Sequence, residues 1–475
     1  MTHAAAVPAL ERGFGLSRRL AHHAAHTSFD QLNSATVTAS KASILDATGV
    51  MIAASSLGEG CAAFVEIARA SGAGPSTVLG HGFKTSPVMA AMANGAMAHA
   101  LDFEDTHDAT LVHPHAAAVP AALALAESLG GISGADLITA VATGADLACR
   151  LALGFVEPPQ GHGYYLIPML GMYAAAAACG KLLQLSEEEL LEAFALASCQ
   201  AICSDELVTY PPSHLRAIRD AFTAKAGIVG ALLARQGVKA FDRPFEARGG
   251  LYGLHGGGRF DEQRMLADLG HVFEGSRVSH KPWPSCRGTH AHIEAAIKLA
   301  RNHAITPANI ADVHVTVSGF FAHLCEPPAQ KPHPQTAIAA KFSAPFMVAL
   351  ALRNRTVTLA DFEPSRLQDR EIQAMAASVS HTIEKAWTGA AAARGAVAIR
   401  TAAGNRFAQD IEFPLGHPRN PMPRDAILAK FRDCVAHAAA KPVDPVGTEA
   451  LVDRISNLEN LVDVRMIFAP EPGGS

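Results

Sequence analysis

The sequence predicts a mainly α protein: a large all-helical domain built from residues 1–270 and 415–475, and a smaller α+β domain at 271–414. Three observations carry this reading. Alanine is abundant and aromatic residues make up only 6%, which suits closely packed helices better than an aromatic-rich sheet sandwich. Apolar residues recur at helical spacing from about residue 28 to 270. Beyond that the pattern switches to a period of two, and helical spacing returns after Pro423.

Each element has its own local reason. Residues 40–56 place Ile44, Leu45, Val50, Met51 and Ile52 near helical spacing, and residues 134–151 do so with Leu137, Ile138, Val141 and Ala142. Ser186 followed by Glu187, Glu188 and Glu189 marks a helix start, because acids favour the first turn. Leu190, Leu191, Phe194, Ala195 and Ala197 continue that helix. Residues 222–236 form another, ended near Gly237. Residues 290–303 and 342–352 are helix candidates in the α+β part. Residues 311–318 alternate as a half-buried strand does, and 395–401 and 407–413 flank AAGNR, a hairpin turn. The tail gives two more helices, and HGGG at 255–258 reads as a flexible loop.

Composition bounds the function. Apolar residues are 49% and charged residues 17%, with a net charge of -5. There is no long basic run, which argues against nucleic acid or an acidic membrane surface as partner. The eight cysteines are scattered without a CxxC, and read as small buried hydrophobes in a reducing cytoplasm. Cys199 and Cys203, four apart, would share one helix face. The N-terminus lacks a signal-peptide pattern, and no run of 18 apolar residues predicts a membrane span.

Residues 94–120, NGAMAHALDFEDTHDATLVHPHAAAVP, set a polar knot between two Ala-rich helix patterns. Acidic and imidazole groups are costly where helices pack closely, unless they act. Asp102 and Thr106, four apart, would share a helix face, and His113 follows after a short loop. An acid, a hydroxyl and an imidazole converging on a pocket can move a proton; helix capping and packing are the alternative. His113 and His115 with Asp105 or Asp108 could be assembled into a metal site, but no ligand spacing is recognisable, so none is expected. KPWPSCRGTH at 281–290 is a second knot, whose Lys281, Arg287 and His290 are potential anion contacts; the alternative is a docked linker. Arg216 and Arg219 are three apart near a helix start and could bind carboxylates or face solvent. His162 in GHGYY reads as a loop residue.

Together these pieces resemble the MmgE/PrpD family, which includes 2-methylcitrate dehydratase, cis-aconitate decarboxylase and iminodisuccinate epimerase. ANGAMAHALDFEDTH, HPHAAAVPAALALAE, MYAAAAACGKLLQLS, FTAKAGIVGALLA, KPWPSCRGTH, AAKFSAPFMVALAL and FPLGHPRNPM match in order, from about residue 30 to 465. The resemblance implies a helical domain made from both chain ends, an α+β lid, a homodimer, an active site between the domains, no metal or organic cofactor, and a small di- or tricarboxylate substrate. Asp102, Thr106, His113 and Lys281 fall on positions like the family's catalytic acid, hydroxyl, histidine and lysine. Tyr165 stands where a histidine is usual, with His162 three residues before it. Arg216 stands for a lysine of the decarboxylase branch, and Phe321 or Ala322 for a tyrosine.

The expected function is a cofactor-independent lyase, most simply a dehydratase. In it His113 transfers a proton, Asp102 tunes it, Thr106 holds a carboxylate or hydroxyl, and Lys281, Arg287 and Arg216 stabilise charge. The departures at Tyr165, Arg216 and Phe321 or Ala322 predict negligible conversion of cis-aconitate to itaconate. Decarboxylation or epimerisation on the same scaffold, a metal-dependent hydrolase and an inactive dimeric binding protein are the alternatives.

Overall fold

The computed structural model describes residues 15–157, 163–200, 203–209, 213–440 and 445–469. The chain divides into two compact units. The first comprises residues 1–100, 104–278 and 424–475, and the second 101–103 and 279–423. The division thus falls at Ser279 and Pro423, where the sequence pattern put residues 271 and 414.

The first unit is helical: α1 (Leu16–His26), α2 (Ser34–Leu57), α3 (Cys61–Ala70), α4 (Pro87–His99), α5 (His115–Leu129), α6 (Gly134–Leu153), α7 (Leu166–Leu182), α8 (Glu187–Ser198), α9 (Glu206–Thr209), α10 (Leu215–Ile218), α11 (Asp220–Arg235), α12 (Leu251–His255) and α13 (Glu262–Leu266). A two-stranded hairpin of β1 (Ser76–Val78) and β2 (Phe83–Thr85) interrupts them. Ser186 starts α8 through a reciprocal cap with Glu189, as its sequence predicts. Helix α7 is buried along almost its whole length, against α5, α6, α8 and α11.

Small residues make that packing possible. A Cβ at Gly227 would lie 2.3 Å from Ala175 Cβ, and one at Gly144 would lie 2.4 Å from the Ala174 carbonyl oxygen. Helix axes therefore approach more closely than larger side chains permit.

The second unit holds α14 (His290–Asn302), β3 (Ile310–Ser318), α15 (Ala337–Lys341), α16 (Ala344–Asn354), α17 (Pro364–Leu367), α18 (Arg370–Ala377), β4 (Val379–Glu384), β5 (Gly395–Thr401) and β6 (Arg406–Ile411). Its sheet runs β4-β3-β5-β6, with β3 and β4 parallel and the other pairs antiparallel. Val313, Val315 and Val317 bury the inner face of β3. At the β5–β6 turn Gly404 takes φ +87°, a left-handed conformation that glycine adopts without strain.

The chain returns to the first unit as α19 (Arg424–Val435) and α20 (Pro445–Ser456). Helix α19 packs on α2, with Phe431 against Gly49 and a buried Lys430–Asp46 ion pair of 2.6 Å. Among the described residues no single helix is long and apolar enough to cross a membrane.

Two local expectations are corrected. Asp102 and Thr106 do not share a helix face: α4 stops at His99, and residues 101–114 are irregular, with Asp102 at φ +49°. The polar groups there compete with helical hydrogen bonds, so four-residue spacing loses its meaning. Cys199 and Cys203 do not share a helix either, because α8 ends at Ser198.

Candidate active site

In the first unit the irregular segment after α4 folds its polar side chains back onto the ends of α4 and α5. Glu104, fully buried, sits between two imidazoles. Its Oε1 meets His99 Nδ1 at the end of α4, and lies 3.1 Å from His113 Nδ1. The two rings are 4.9 Å apart, centroid to centroid. His113 Nδ1 also donates to the Asp105 carbonyl at 2.7 Å, and the Thr106 hydroxyl lies 3.2 Å away. That crowding of acceptors fixes the ring proton on Nδ1. Nε2 is then the ring nitrogen of His113 that carries the lone pair.

The other members of the knot serve the scaffold. His115 Nδ1 pairs with Asp105 Oδ2 at 2.8 Å, and His107 lies 3.5 Å from Glu274. Burial opposes the ionised form of Glu274, but the His107 hydrogen bond and Arg277 hold its carboxyl below the usual range. Glu274 in turn donates its backbone N–H to Asp146, which is paired with Arg150. These contacts tie the loop to α5 and α6.

A buried Arg219 stands at the start of α11, with Tyr165 and Asp220. The Tyr165 ring lies 5.3 Å from the guanidinium carbon, and Arg219 Nε is 3.4 Å from Asp220 Oδ2. Burial, reinforced by the negative charge of Glu104 and only partly offset by Arg219, pushes the Asp220 carboxyl up to about 6. Gly171 of α7 packs closely nearby: a Cβ there would lie 3.0 Å from Ala117 Cβ and 3.2 Å from Thr223 Oγ1. Glu104 therefore acts electrostatically on Arg219 and Asp220 while touching both histidines.

In the second unit Lys281 is fully buried, and its Nζ donates to the Asp102 carboxylate and, at 3.2 Å, to the Asp102 carbonyl. Arg287, also buried, donates to Ser279 Oγ at 3.0 Å and to the Leu415 carbonyl at 3.3 Å. Lys341 donates to the Leu101 carbonyl at 2.7 Å. His290 Nε2 donates to the Ser285 carbonyl at 3.1 Å. Burial first, then Arg287 and Lys281, hold its imidazole well below its ordinary pKa, so it is neutral at pH 7. It offers an acceptor nitrogen rather than a cation to an anion. Phe321 is buried beside Gly288, whose Cβ would lie 2.4 Å from Phe321 Cδ1.

The sequence-derived residues are thus distributed as follows. Thr106, His113, Tyr165 and Arg216 belong to the first unit, and Asp102, Lys281, Arg287 and His290 to the second. His162 lies outside the described residues. Glu104, not singled out from the sequence, is a carboxylate that touches His113. Arg216 is half-buried, whereas Arg219 is fully buried. His99, Glu104, Asp220 and Lys341 had no role assigned from sequence. Glu104 was visible as one of several acids in the knot, but nothing in its spacing distinguished it from Asp102 or Asp105. His99, Glu104 and His113 each offer a ligand atom within 4.8 Å of the others, as do His22, His26 and Glu187. The 3.1 Å separation of His113 and Glu104 is hydrogen-bond length.

Comparison with known proteins gives this arrangement its context. Residues 18–263 match the MmgE/PrpD N-terminal domain, and residues 283–445 match the MmgE/PrpD C-terminal domain. A cis-aconitate decarboxylase of Aspergillus terreus is 28% identical over 412 residues, covering 82% of each chain. A cis-aconitate decarboxylase-like protein of Aspergillus oryzae is 30% identical over 320 residues, 62% of this chain and 64% of its own. Cis-aconitate decarboxylase of Mus musculus is 25% identical over 456 residues, 92% of this chain and 89% of its own. With both domain matches in order along most of its length, this chain belongs to the MmgE/PrpD family.

Proposed function

We propose that this protein is a cofactor-independent lyase acting on a small di- or tricarboxylate, with proton transfer next to a carboxylate as its central step. The observation that carries the reading is the carboxylate of Glu104 shared between His99 and His113. A buried carboxylate against an imidazole stabilises the imidazolium and orients its ring. His113 can then take a proton through Nε2 and return it, while Nδ1 stays held by Asp105 and Glu104.

The first bond-breaking outcome is loss of water. His113 takes the proton from the carbon beside a carboxylate, the electron pair forms the new double bond, and the hydroxyl leaves as water with a proton from a second acid. His99, on the same Glu104, suits that second role. Arg216 in the same unit is positioned by sequence near the start of α11, and can steer an anionic substrate.

Decarboxylation is the second reading, favoured by the names of the relatives above. It uses the same proton-transfer set in the reverse sense: carbon dioxide leaves, and the acid delivers a proton to carbon. Arg216 and Phe321 or Ala322 depart from that branch, and Tyr165 stands where the family usually has a histidine. A phenol with a reference pKa near 10 and an arginine that does not readily release a proton would alter proton delivery.

The test is a proton-NMR screen of hydroxy and unsaturated di- and tricarboxylates, including citrate, 2-methylcitrate and cis-aconitate. Olefinic signals from a hydroxy acid support loss of water. Itaconate from cis-aconitate at roughly 1 per second or more would move the assignment to decarboxylation. No turnover of any polycarboxylate would overturn the lyase reading.

A further inference from the structure

Arg219 is a cation held where water cannot serve it. It caps the N-terminus of the sixteen-residue α11 and is 2% exposed. A guanidinium carries five N–H donors in a planar fork. Nη1 donates to the Arg216 carbonyl at 3.3 Å. Among the described residues, Nε and Nη2 have no hydrogen-bond partner. The Asp220 carboxylate is 3.4 Å from Nε but lacks hydrogen-bond geometry, and its Oδ2 is also without a hydrogen-bond partner.

The two unmet donors are the informative part. Nε–H and one Nη2–H form the side edge of the guanidinium, spaced to meet both oxygens of one carboxylate. Buried polar groups in folded proteins are nearly always satisfied, and a charged one left unmet calls for an explanation. Asp220 lies within ion-pair distance but does not fill the fork, because its Oδ2 makes no hydrogen bond to Nε.

We propose that Arg219 is a carboxylate anchor: its Nε–Nη2 edge takes one carboxylate of the substrate bidentately and so determines which acids bind. The inference rests on the carboxylate-lyase reading and names one contact within it. Sequence spacing offered Arg216 and Arg219 alike as carboxylate contacts, and the proposal places one such contact on Arg219.

Isothermal titration of the full chain with tricarballylate, an unreactive tricarboxylate, tests this. Arg219→Gln should weaken binding by about 10- to 100-fold. Arg219→Lys keeps the charge but loses the fork, and should weaken it by roughly 10-fold or more. Thermal melting without ligand separates anchoring from a structural role, which would lower the midpoint and leave affinity unchanged. If the Gln variant does not fold, the Lys variant carries the test. Wild-type binding with both variants within about threefold would overturn the anchor and leave the lyase reading standing. A wild type that neither binds tricarballylate nor turns over any polycarboxylate removes the lyase reading, and the anchor with it.

Discussion

Glu104 shows what residue types do and do not disclose. The knot of acids and histidines was legible as a functional cluster, because such groups are costly between packed helices. Which acid faces which imidazole was not, because the segment is irregular and no period links sequence spacing to direction. His113 and Thr106 do meet, 3.2 Å apart, but through a turn rather than a helix face. Asp220 offers a pH test at this scale. Its carboxyl is raised to about 6 by burial, with Glu104 adding and Arg219 offsetting; Tyr165 and Cys203 are the other titratable groups beside the pair. A raised carboxyl stabilises the fold below the unfolded value, and that contribution is lost as pH rises through the folded one. Asp220→Asn should therefore be more stable than wild type at pH 8, by up to about 3 kcal/mol, with the difference vanishing near pH 4. Thermal midpoints of both proteins across pH 4–8 check this; a pH-independent difference would contradict it.

Helices were the most legible elements, since their starts and stops are written in local chemistry. Ser186 with Glu189 is one case, and the end of α11 at Arg235, just before Gly237, is another. The hairpin of β5 and β6 was legible because Gly404 sits in its turn. Strand β4 was not: it is an edge strand, half exposed, and its parallel partner β3 is some sixty residues away, so neither alternation nor a turn marks it. Strands β1 and β2 span three residues each, too few for a period to show. The tight contacts between Ala-rich helices make a further prediction. Gly227→Val would drive a side chain into Ala175 on α7, and should destabilise the protein by about 1–3 kcal/mol or more without touching the histidine set. Chemical denaturation measures this, and an unchanged midpoint would show that α7 and α11 can move apart freely.

For the whole molecule, sequence pattern located a helical body closed by both chain ends, and the structure ties them through α2 and α19, with Lys430 against Asp46. The dimer and the absence of a bound metal are expectations that the family resemblance implies, and each has its own test. Light scattering should give twice the chain mass, and a monomer mass would refute the dimer. Elemental analysis of untagged protein should show no stoichiometric divalent ion; one ion per chain, with activity lost on its removal, would assign His99, Glu104 and His113 to a metal instead. The central claim is that this family member moves a proton beside a carboxylate through His113. It is tested most directly by deuterium exchange: the carbon-bound hydrogens of a substrate found in the polycarboxylate screen are followed by NMR in heavy water, with wild type and His113→Ala compared. Wild type should wash deuterium into the position next to the carboxylate, and His113→Ala, still folded, should do so roughly 10²–10⁴-fold more slowly. Equal exchange rates in the two proteins would contradict the account.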